Sequence, residues 1–456
     1  MRIRNRARKL VAATAAAGLA AVVSGCGANS VSAGGTTVNW WTWDDKQAAA
    51  YRQCATVFEK ENPGVTVKIT QYDVNDYFTK LLSGFVADTA PDAFMNSGQY
   101  LQQYAALKQL EPLDGYVRKS GFDLKKYTTG TDSYRYSDGK LYALPMDWAM
   151  AGLYYNDDML KKAGYTKADI DDLTWNPDDG GTFEKMVAHL TVDSKGRRGD
   201  QPGFDKHHVK IYGIGALGVQ DFTGQTSWNP LVSTLGWRPG DKRQWPTVFD
   251  FEDPRFVKTM NWVRDLTDKG YAPVEGEFTS AGNAPSSAQL LGSGKVAIAN
   301  DGSWSATAYP DIPNLHYGIA LNPKGPDGKR SGESNANGNM IWAGSPHKDL
   351  AWKWVSFQES EQCQTIAGRS GTFFPSIGAS MDATAAALKK KGVDLGPFVT
   401  AQREGDLYAS PTYGNGTAMQ KTLQPLMQSF FAHDRNDDVF KQMTQDTRKL
   451  LAQKED

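Results

Sequence analysis

The stretch TVNWWTWDDKQAAAYRQCATVFEKENPGVTVKITQ, residues 37–71, decides the fold class. TVNWWTW reads as a strand. The following DDKQAAAYRQCATVFEKENPG carries acids at its start and Asn-Pro-Gly at its end, which are the start and stop signals of a helix. VTVKITQ then alternates apolar and polar residues as a half-buried strand does. Strand, helix and strand in that order argue a parallel pair joined by a crossover helix, because parallel neighbours cannot be linked by a tight turn. The pattern continues outward. NDYFTKLLSGFVAD (75–88) reads as a helix, PDAFMNS (91–97) as a short strand and YLQQYAALKQLEPLD (100–114) as a helix. Further on, 139–156 reads as extended chain, 251–270 as a helix, GKVAIAN and HYGIALNP as strands, and 347–368 as one long helix. The tail from Ala418 is helical. The fold class is therefore α/β, with no internal repeat and no long linker.

The opening thirty residues have a separate logic. Arg2, Arg4, Arg6, Arg8 and Lys9 precede an uncharged, apolar or small run over residues 10–24, the layout of a secretory signal. The run is shorter than the roughly 18 residues a spanning helix needs. Val23, Ser24, Gly25 and Cys26 resemble a bacterial lipobox, whose cysteine is lipidated and becomes the new N-terminus. Residues 1–25 are then a lipoprotein signal peptide and 26–36 a Gly/Ser-type flexible tether. The alternative is a plain secreted protein cleaved nearby. Cutting before Cys26 removes five positive charges and no negative ones, so the formal charge of −1 becomes −6 on a mature chain of 431 residues. A chain of that sign is no partner for nucleic acid. Its length suits two domains, and three cysteines are too few for a disulfide framework. With Cys26 lipidated, Cys54 and Cys363 remain as an even pair in an oxidising compartment.

Enzymatic motifs are weak. GIGALG (213–218) matches G-x-G-x-x-G literally, but FTGQTSWNP follows where a helix and a distal acid are needed. The loop DSKGRRGD (193–200) looks faintly like a calcium loop, yet Lys195 and Arg197 stand where oxygen ligands belong. His207 and His208 are adjacent, so their rings point apart on a strand. The chain has no H-E-x-x-H, phosphate-cradling loop or G-x-S-x-G elbow, and no carboxylate pair stands out. No metal or cofactor is expected.

Tryptophans beside small polar residues stand out instead: WTWDD (41–45), MDWAM (146–150), QTSWNP (225–230) and NDGSWS (300–305). A pyranose has an apolar C–H face that lies on an indole and a rim of hydroxyls that suits Asp, Asn and Gln. Trp262, Trp352 and Trp354, on helices, read as core.

GKLYALP followed by GLYYNDDMLKKAG, then GKVAIANDGSW, then HKDLAWKWVSFQESEQCQ and FFPS resemble, in order, segments of extracellular solute-binding proteins of the maltose-binding type, from sugar ABC transporters. The resemblance spans roughly residues 38–445. With a lipobox and glycine tether, it is similar to the lipoprotein form of Gram-positive bacteria, actinobacteria especially. It implies a type II periplasmic-binding-protein-like fold, two α/β lobes joined by a three-crossing hinge with the ligand cleft between them. Lobe one would take 37–146 and 335–376, and lobe two 147–334 and 377–456. Matching motifs imply a ligand set of Trp43, Asp44, Asn96, Gln99, Asp147, Trp148, Trp304 as the stacking aromatic, Asn337, Gly338 and Asn339, with Trp228 and Phe373 as looser transfers. Gly338 would let backbone approach the ligand. With both remaining cysteines on lobe-one helices, a Cys54–Cys363 disulfide is expected. The implied function is capture of a mono- or oligosaccharide by a lipid-anchored monomer on the outer face of the membrane. Delivery to an ABC permease would follow, without covalent chemistry. A secreted glycoside-active enzyme and a binder of a charged solute such as a polyamine stay open as alternatives.

Overall fold

A computed structural model describes residues 36–127, 131–217, 222–274, 276–278, 285–372 and 374–453. The expectations for the signal peptide, Cys26 and tether residues 26–35, and that for Phe373, fall outside these residues, whereas Thr36, expected at the end of the tether, opens the first strand. In chain order the described strands are β1 Thr36–Thr42, β2 Val65–Gln71, β3 Ala93–Ser97, β4 Ala143–Pro145, β5 Asp147–Trp148, β6 Ala151–Asn156 and β7 Val192–Asp193. They continue as β8 Val209–Ile214, β9 Val296–Gly302, β10 Tyr317–Ala320, β11 Gly332–Ser334, β12 Asn337–Ile341, β13 Phe374–Pro375 and β14 Leu407–Ala409.

Two five-stranded sheets organise the molecule, one in the order β2-β1-β3-β12-β4 and the other β10-β6-β9-β8-β7. The opening β-α-β unit forms as its sequence dictates. Val38, Trp40 and Thr42 alternate into the core of β1, and β1 pairs in parallel with β2 from Thr36 opposite Val65. The helix Asp45–Glu61 between them starts at Asp44, whose carboxylate accepts the Gln47 N–H at 2.7 Å. It buries Tyr51, Cys54, Ala55 and Phe58 on one face. Each of the larger side chains contributes on the order of 2 kcal/mol by leaving water. The helix stops where Pro63 follows Asn62 and Gly64 takes φ +85°. Cys54 on this helix is disulfide-bonded to Cys363, with Cα atoms 5.4 Å apart.

The first sheet has its own core, running from Val38 to Met146 and again from Met340 to Ala367. The second sheet is covered on both faces. One cluster includes Leu153, Ile214 and Trp262 together with Met419, Phe430 and Phe440 of the tail helices Gly416–Phe431 and Asp438–Ala452. The other includes Trp148, Tyr154 and Ile319 with Phe374, Met381 and Phe398. The chain therefore passes between the first-sheet core and the second-sheet clusters three times.

Those three passages are tied together. β13 pairs antiparallel with β5, setting Phe374 opposite Trp148 and Pro375 opposite Asp147. The Ala149 N–H donates to the Asn335 carbonyl, and the Met146 N–H to the Asn337 carbonyl, both at 2.9 Å. Buried Gln364 donates to the Met146 carbonyl at 3.2 Å and accepts the Ile377 N–H at 3.0 Å. Gln364 thus links the first passage to the third. The long helix expected over 347–368 is two helices, Lys348–Gln358 and Glu361–Gly368, because Ser360 caps a new start by accepting the Cys363 N–H. The helix expected over 100–114 runs only over Gly98–Ala106, since Lys108 adopts φ +56° and Leu110 turns to bridge Trp342.

Candidate functional site

A cavity of about 970 Å³ opens between side chains supplied by both halves of the molecule. On the first-sheet side its wall is Phe78 stacked on Tyr100, ring centroids 4.1 Å apart at 28°, with Ser97 and Gly98 at the end of β3. The second-sheet half contributes Trp304, on a single helical turn, Ser303–Ser305, at the end of β9. Its indole is 37% exposed, unusual for so large an apolar ring, and packs so tightly over Gly302 that a Cβ there would lie 2.1 Å from it. The floor is Ser334 and Asn335 at the second passage and the segment 407–413.

Polar groups on this wall are held in place before any ligand arrives. The buried Glu333 carboxylate accepts Ser410 Oγ at 2.5 Å and Asn229 Nδ2 at 3.1 Å. Tyr408 donates to Asn229 Oδ1 at 2.8 Å, with the Arg238 guanidinium 4.1 Å above its ring. Asn335 Nδ2 donates to Gln225 Oε1 at 3.1 Å, and the buried Gln225 Nε2 has no acceptor among the described residues. Trp228 lines the cavity as well, packed edge-on against Phe256, and its buried Nε1 also lacks an acceptor among the described residues. Among the described lining residues, only Glu333 and Lys421 carry charge.

The residues singled out from sequence fall into two groups. Trp304 and Trp228 line the cavity, and Gln99 lies in the first turn of Gly98–Ala106, beside lining residues Gly98 and Tyr100. Trp43 stands behind the wall, 5.1 Å from Tyr77 and 5.4 Å from Phe78. Asp44 is the helix cap already described, and burial raises its carboxyl above the usual range.

The others belong to the passages and the first core. Asp147 is 1% exposed and accepts the Asn337 N–H at 2.8 Å, Asn337 Nδ2 at 3.1 Å and Gln47 Nε2 at 3.3 Å. Burial pushes its carboxyl up to about 6, against those three hydrogen bonds and with a smaller push from Asp44. Trp148 is fully enclosed, packs edge-on to Phe374 at 4.9 Å and donates from Nε1 to the Pro375 carbonyl at 3.2 Å. No face of that indole is open to a sugar. Asn339 is equally buried, with Oδ1 accepting Trp40 Nε1 at 2.8 Å and Nδ2 donating to Glu359 at 2.6 Å. Asn96 is buried against Met340. Gly338 also has a packing reason: a Cβ there would meet the Tyr134 ring at 2.7 Å and Ala143 at 2.9 Å, so it admits neighbouring protein and not a ligand.

Phe78, Tyr100, Gln225, Glu333, Asn335 and Tyr408 were not singled out from sequence. Phe78 and Tyr100 sit at core-like spacing on amphipathic helices, which hides them. Gln225 alone carried a signal, three residues before Trp228 in a stretch already notable for its tryptophan. As for metals, among the described residues no group of three or more His, Cys, Asp or Glu is placed to hold an ion. In the loop with the faint calcium look, the buried Asp193 carboxylate accepts the Lys195, Arg197 and Asp205 N–H groups and Arg197 Nε. The Arg197 guanidinium stands where a cation would.

Residues 53–393 match the family of bacterial extracellular solute-binding proteins. The maltodextrin-binding protein MdxE of Bacillus subtilis (strain 168) is 26% identical over 360 residues, 77% of this chain and 76% of that one. A binding protein of Brucella abortus (strain 2308) is 24% identical over 334 residues, 72% and 73% of the two chains. Among solved structures, M. tuberculosis UspC has a TM-score of 0.73 at 24% identity, covering 91% of this chain and 100% of that one. The ABC substrate-binding protein Lmo0181 of Listeria monocytogenes, in complex with cycloalternan, has a TM-score of 0.75 at 20% identity, covering 91% and 98%. The two sheets with their three passages are the type II binding-protein fold that these structures share. With three-quarters of its length matched and a cavity between its halves, the chain belongs to the bacterial extracellular solute-binding protein family.

Proposed function

We propose that this protein captures a carbohydrate, a mono- or oligosaccharide, and presents it to an ABC-type importer. The observation that carries the reading is the cavity wall. Trp304 offers a partly exposed aromatic ring to the same cavity as the Phe78–Tyr100 stack, and neutral hydrogen-bonding groups, Gln225, Asn335 and Ser334, line it with them. Stacking faces with amide and hydroxyl partners suit a ring that is apolar on its flat side and hydroxylated at its edge. A polyamine would call for several acids, whereas among the described lining residues the one carboxylate, Glu333, already accepts from Ser410 and Asn229. A glycosidase would call for two carboxylates across the scissile bond. The maltodextrin-binding relative and the cycloalternan complex support the carbohydrate class. The test is a thermal-shift panel of mono- and oligosaccharides with spermidine as a control. A ligand at about 1,000 times its Kd adds roughly 4 kcal/mol. A shift with spermidine and with no sugar would overturn the reading.

The same proposal includes the mode of capture. Lobe one takes 37–146 and 335–376 and lobe two 147–334 and 377–456. The three passages bend so that the lobes close on the sugar, because only a closed form can offer Trp304 and the Phe78 wall to the ligand at once. Small-angle scattering should give a smaller radius of gyration with saturating sugar, and an unchanged radius alongside binding would count against closure. Membership of the extracellular solute-binding family supports delivery to a permease. The reading also has the protein act as a monomer, attached through lipid on Cys26 by a short tether; the lipobox-like VSGC supports the attachment. Cys26→Ser should accumulate unprocessed or be shed into the medium, and mature membrane-bound mutant without lipid would refute it.

A further inference from the structure

The turn that carries Trp304 is fixed from below by one carboxylate. Asp301 Oδ1 accepts the Gly302 N–H at 2.7 Å and Ser305 Oγ at 2.9 Å, and its Oδ2 accepts the Tyr309 hydroxyl at 2.8 Å. The three donors lie on both sides of Trp304 in sequence. Tyr309 is itself fully buried and stacked on Tyr154, centroids 4.2 Å apart at 12°, and the Tyr154 hydroxyl donates to the Gly302 carbonyl at 3.1 Å. On the other side of the turn the Ser303 N–H donates to the Met150 carbonyl at 2.8 Å, and Ser303 Oγ accepts the Met150 N–H at 3.3 Å. The turn flanking the indole is thereby pinned from both sides, although the indole itself is among the most exposed large apolar side chains described.

We propose that Asp301 is the positioning residue of the binding site, holding Trp304 pre-ordered as a stacking platform so that a ligand does not have to order it on arrival. The proposal rests on the carbohydrate reading above. An exposed aromatic on a free turn samples several rotamers, and fixing it on binding costs affinity. A clamp that meets that cost during folding tightens binding without touching the ligand. The chemistry of the clamp explains the residue type. Three donors converge on the side chain, and only an ionised carboxylate is acceptor on both oxygens. In Asp301→Asn the charge is lost and the amide nitrogen replaces one acceptor, so the Tyr309 contact survives only with its hydroxyl turned round to accept, and the turn is held by weaker, neutral bonds at unchanged volume.

The experiment is a double-variant cycle on the sugar that gives the largest shift in the panel. Trp304→Ala alone reads the stacking claim: no loss there sinks the carbohydrate reading at this residue and leaves Asp301 nothing to position. Given such a loss, Asp301→Asn should weaken binding by about 5-fold or more in the wild-type background and by less than about 2-fold in Trp304→Ala, the signature of two residues acting as a unit. Equal losses in both backgrounds, or no loss in the wild type, would overturn the proposal. A second readout follows the ring itself. With 5-fluorotryptophan incorporated, and its resonance assigned by Trp304→Phe, the Trp304 signal should broaden or shift toward the free-indole position in Asp301→Asn without sugar. An unmoved resonance would refute pre-ordering. If Asp301→Asn does not fold, Ser305→Ala and Tyr309→Phe each remove one donor of the same clamp and must show the same background dependence.

Discussion

Asp147→Asn separates the electrostatic character of the hinge from its packing. The Asp147 carboxyl lies inside the first passage, and burial raises it from an ordinary value of 3.8 to about 6 despite the donors from Asn337 and Gln47. Between pH 4 and 6 the native state holds this proton and the unfolded chain does not, so stability falls as pH rises through that window. The stability lost between pH 4 and 7 is about 2.4 kcal/mol: the whole shift is worth about 3 kcal/mol at about 1.4 kcal/mol per pH unit, and about 0.6 kcal/mol of it is already gone at pH 4, where the unfolded carboxyl is more than half ionised. Glu359, also buried and also raised, stays in both proteins; Asp147 raises it further, so relief of that repulsion adds in the same direction. The amide of the variant titrates nothing. Urea unfolding at pH 4, 5, 6 and 7, followed by tryptophan fluorescence, should therefore show the variant gaining about 2.4 kcal/mol on wild type from the acidic to the neutral end. Any constant cost of the amide cancels in that comparison. A difference that stays flat within about 1 kcal/mol would mean that Asp147 ionises without penalty, and the reasoning from burial would fail.

Replacing Cys54 and Cys363 by serine opens a covalent loop with a sequence separation of 309. Stability should fall by up to about 5 kcal/mol, read from denaturant midpoints with and without reductant; no change between the two would assign the stabilisation elsewhere. Gly338→Ala should cost about 1–3 kcal/mol through its clash with the Tyr134 ring and leave sugar affinity unaltered. Weaker sugar binding at unchanged stability would return Gly338 to the ligand site.

The fold was legible because alternation in β1 and β2 and the caps of Asp45–Glu61 are local signals, each read within a few residues. The break at Ser360 was missed for an equally local reason, since a serine inside an apolar period reads as helix until its side chain is seen to cap one. The site was less legible. Trp304 declares itself because its neighbours Asp301, Gly302, Ser303 and Ser305 are turn residues. Phe78 and Tyr100 obey the 3.6-residue period of buried faces, and nothing in that period tells a core ring from one that looks into a cleft. Asp147, Trp148 and Asn339 show the opposite difficulty. Their residue types suit a sugar, but in the fold they are taken up by neighbouring protein groups first.

The place of β12 in the first sheet has a consequence for export. β12 lies between β3 and β4, its Met340 opposite Phe94 on one side and Ala143 on the other. A chain that leaves the cell N-terminus first delivers β1 to β4 some two hundred residues before the strand that joins them. Until then β3 and β4 present open edges, and Phe94, Ala143 and Leu144 wait without the neighbour that buries them. Folding of the first lobe cannot finish vectorially. Its rate should follow release of the whole chain, and the half-made lobe is the species a secretion chaperone would have to shield.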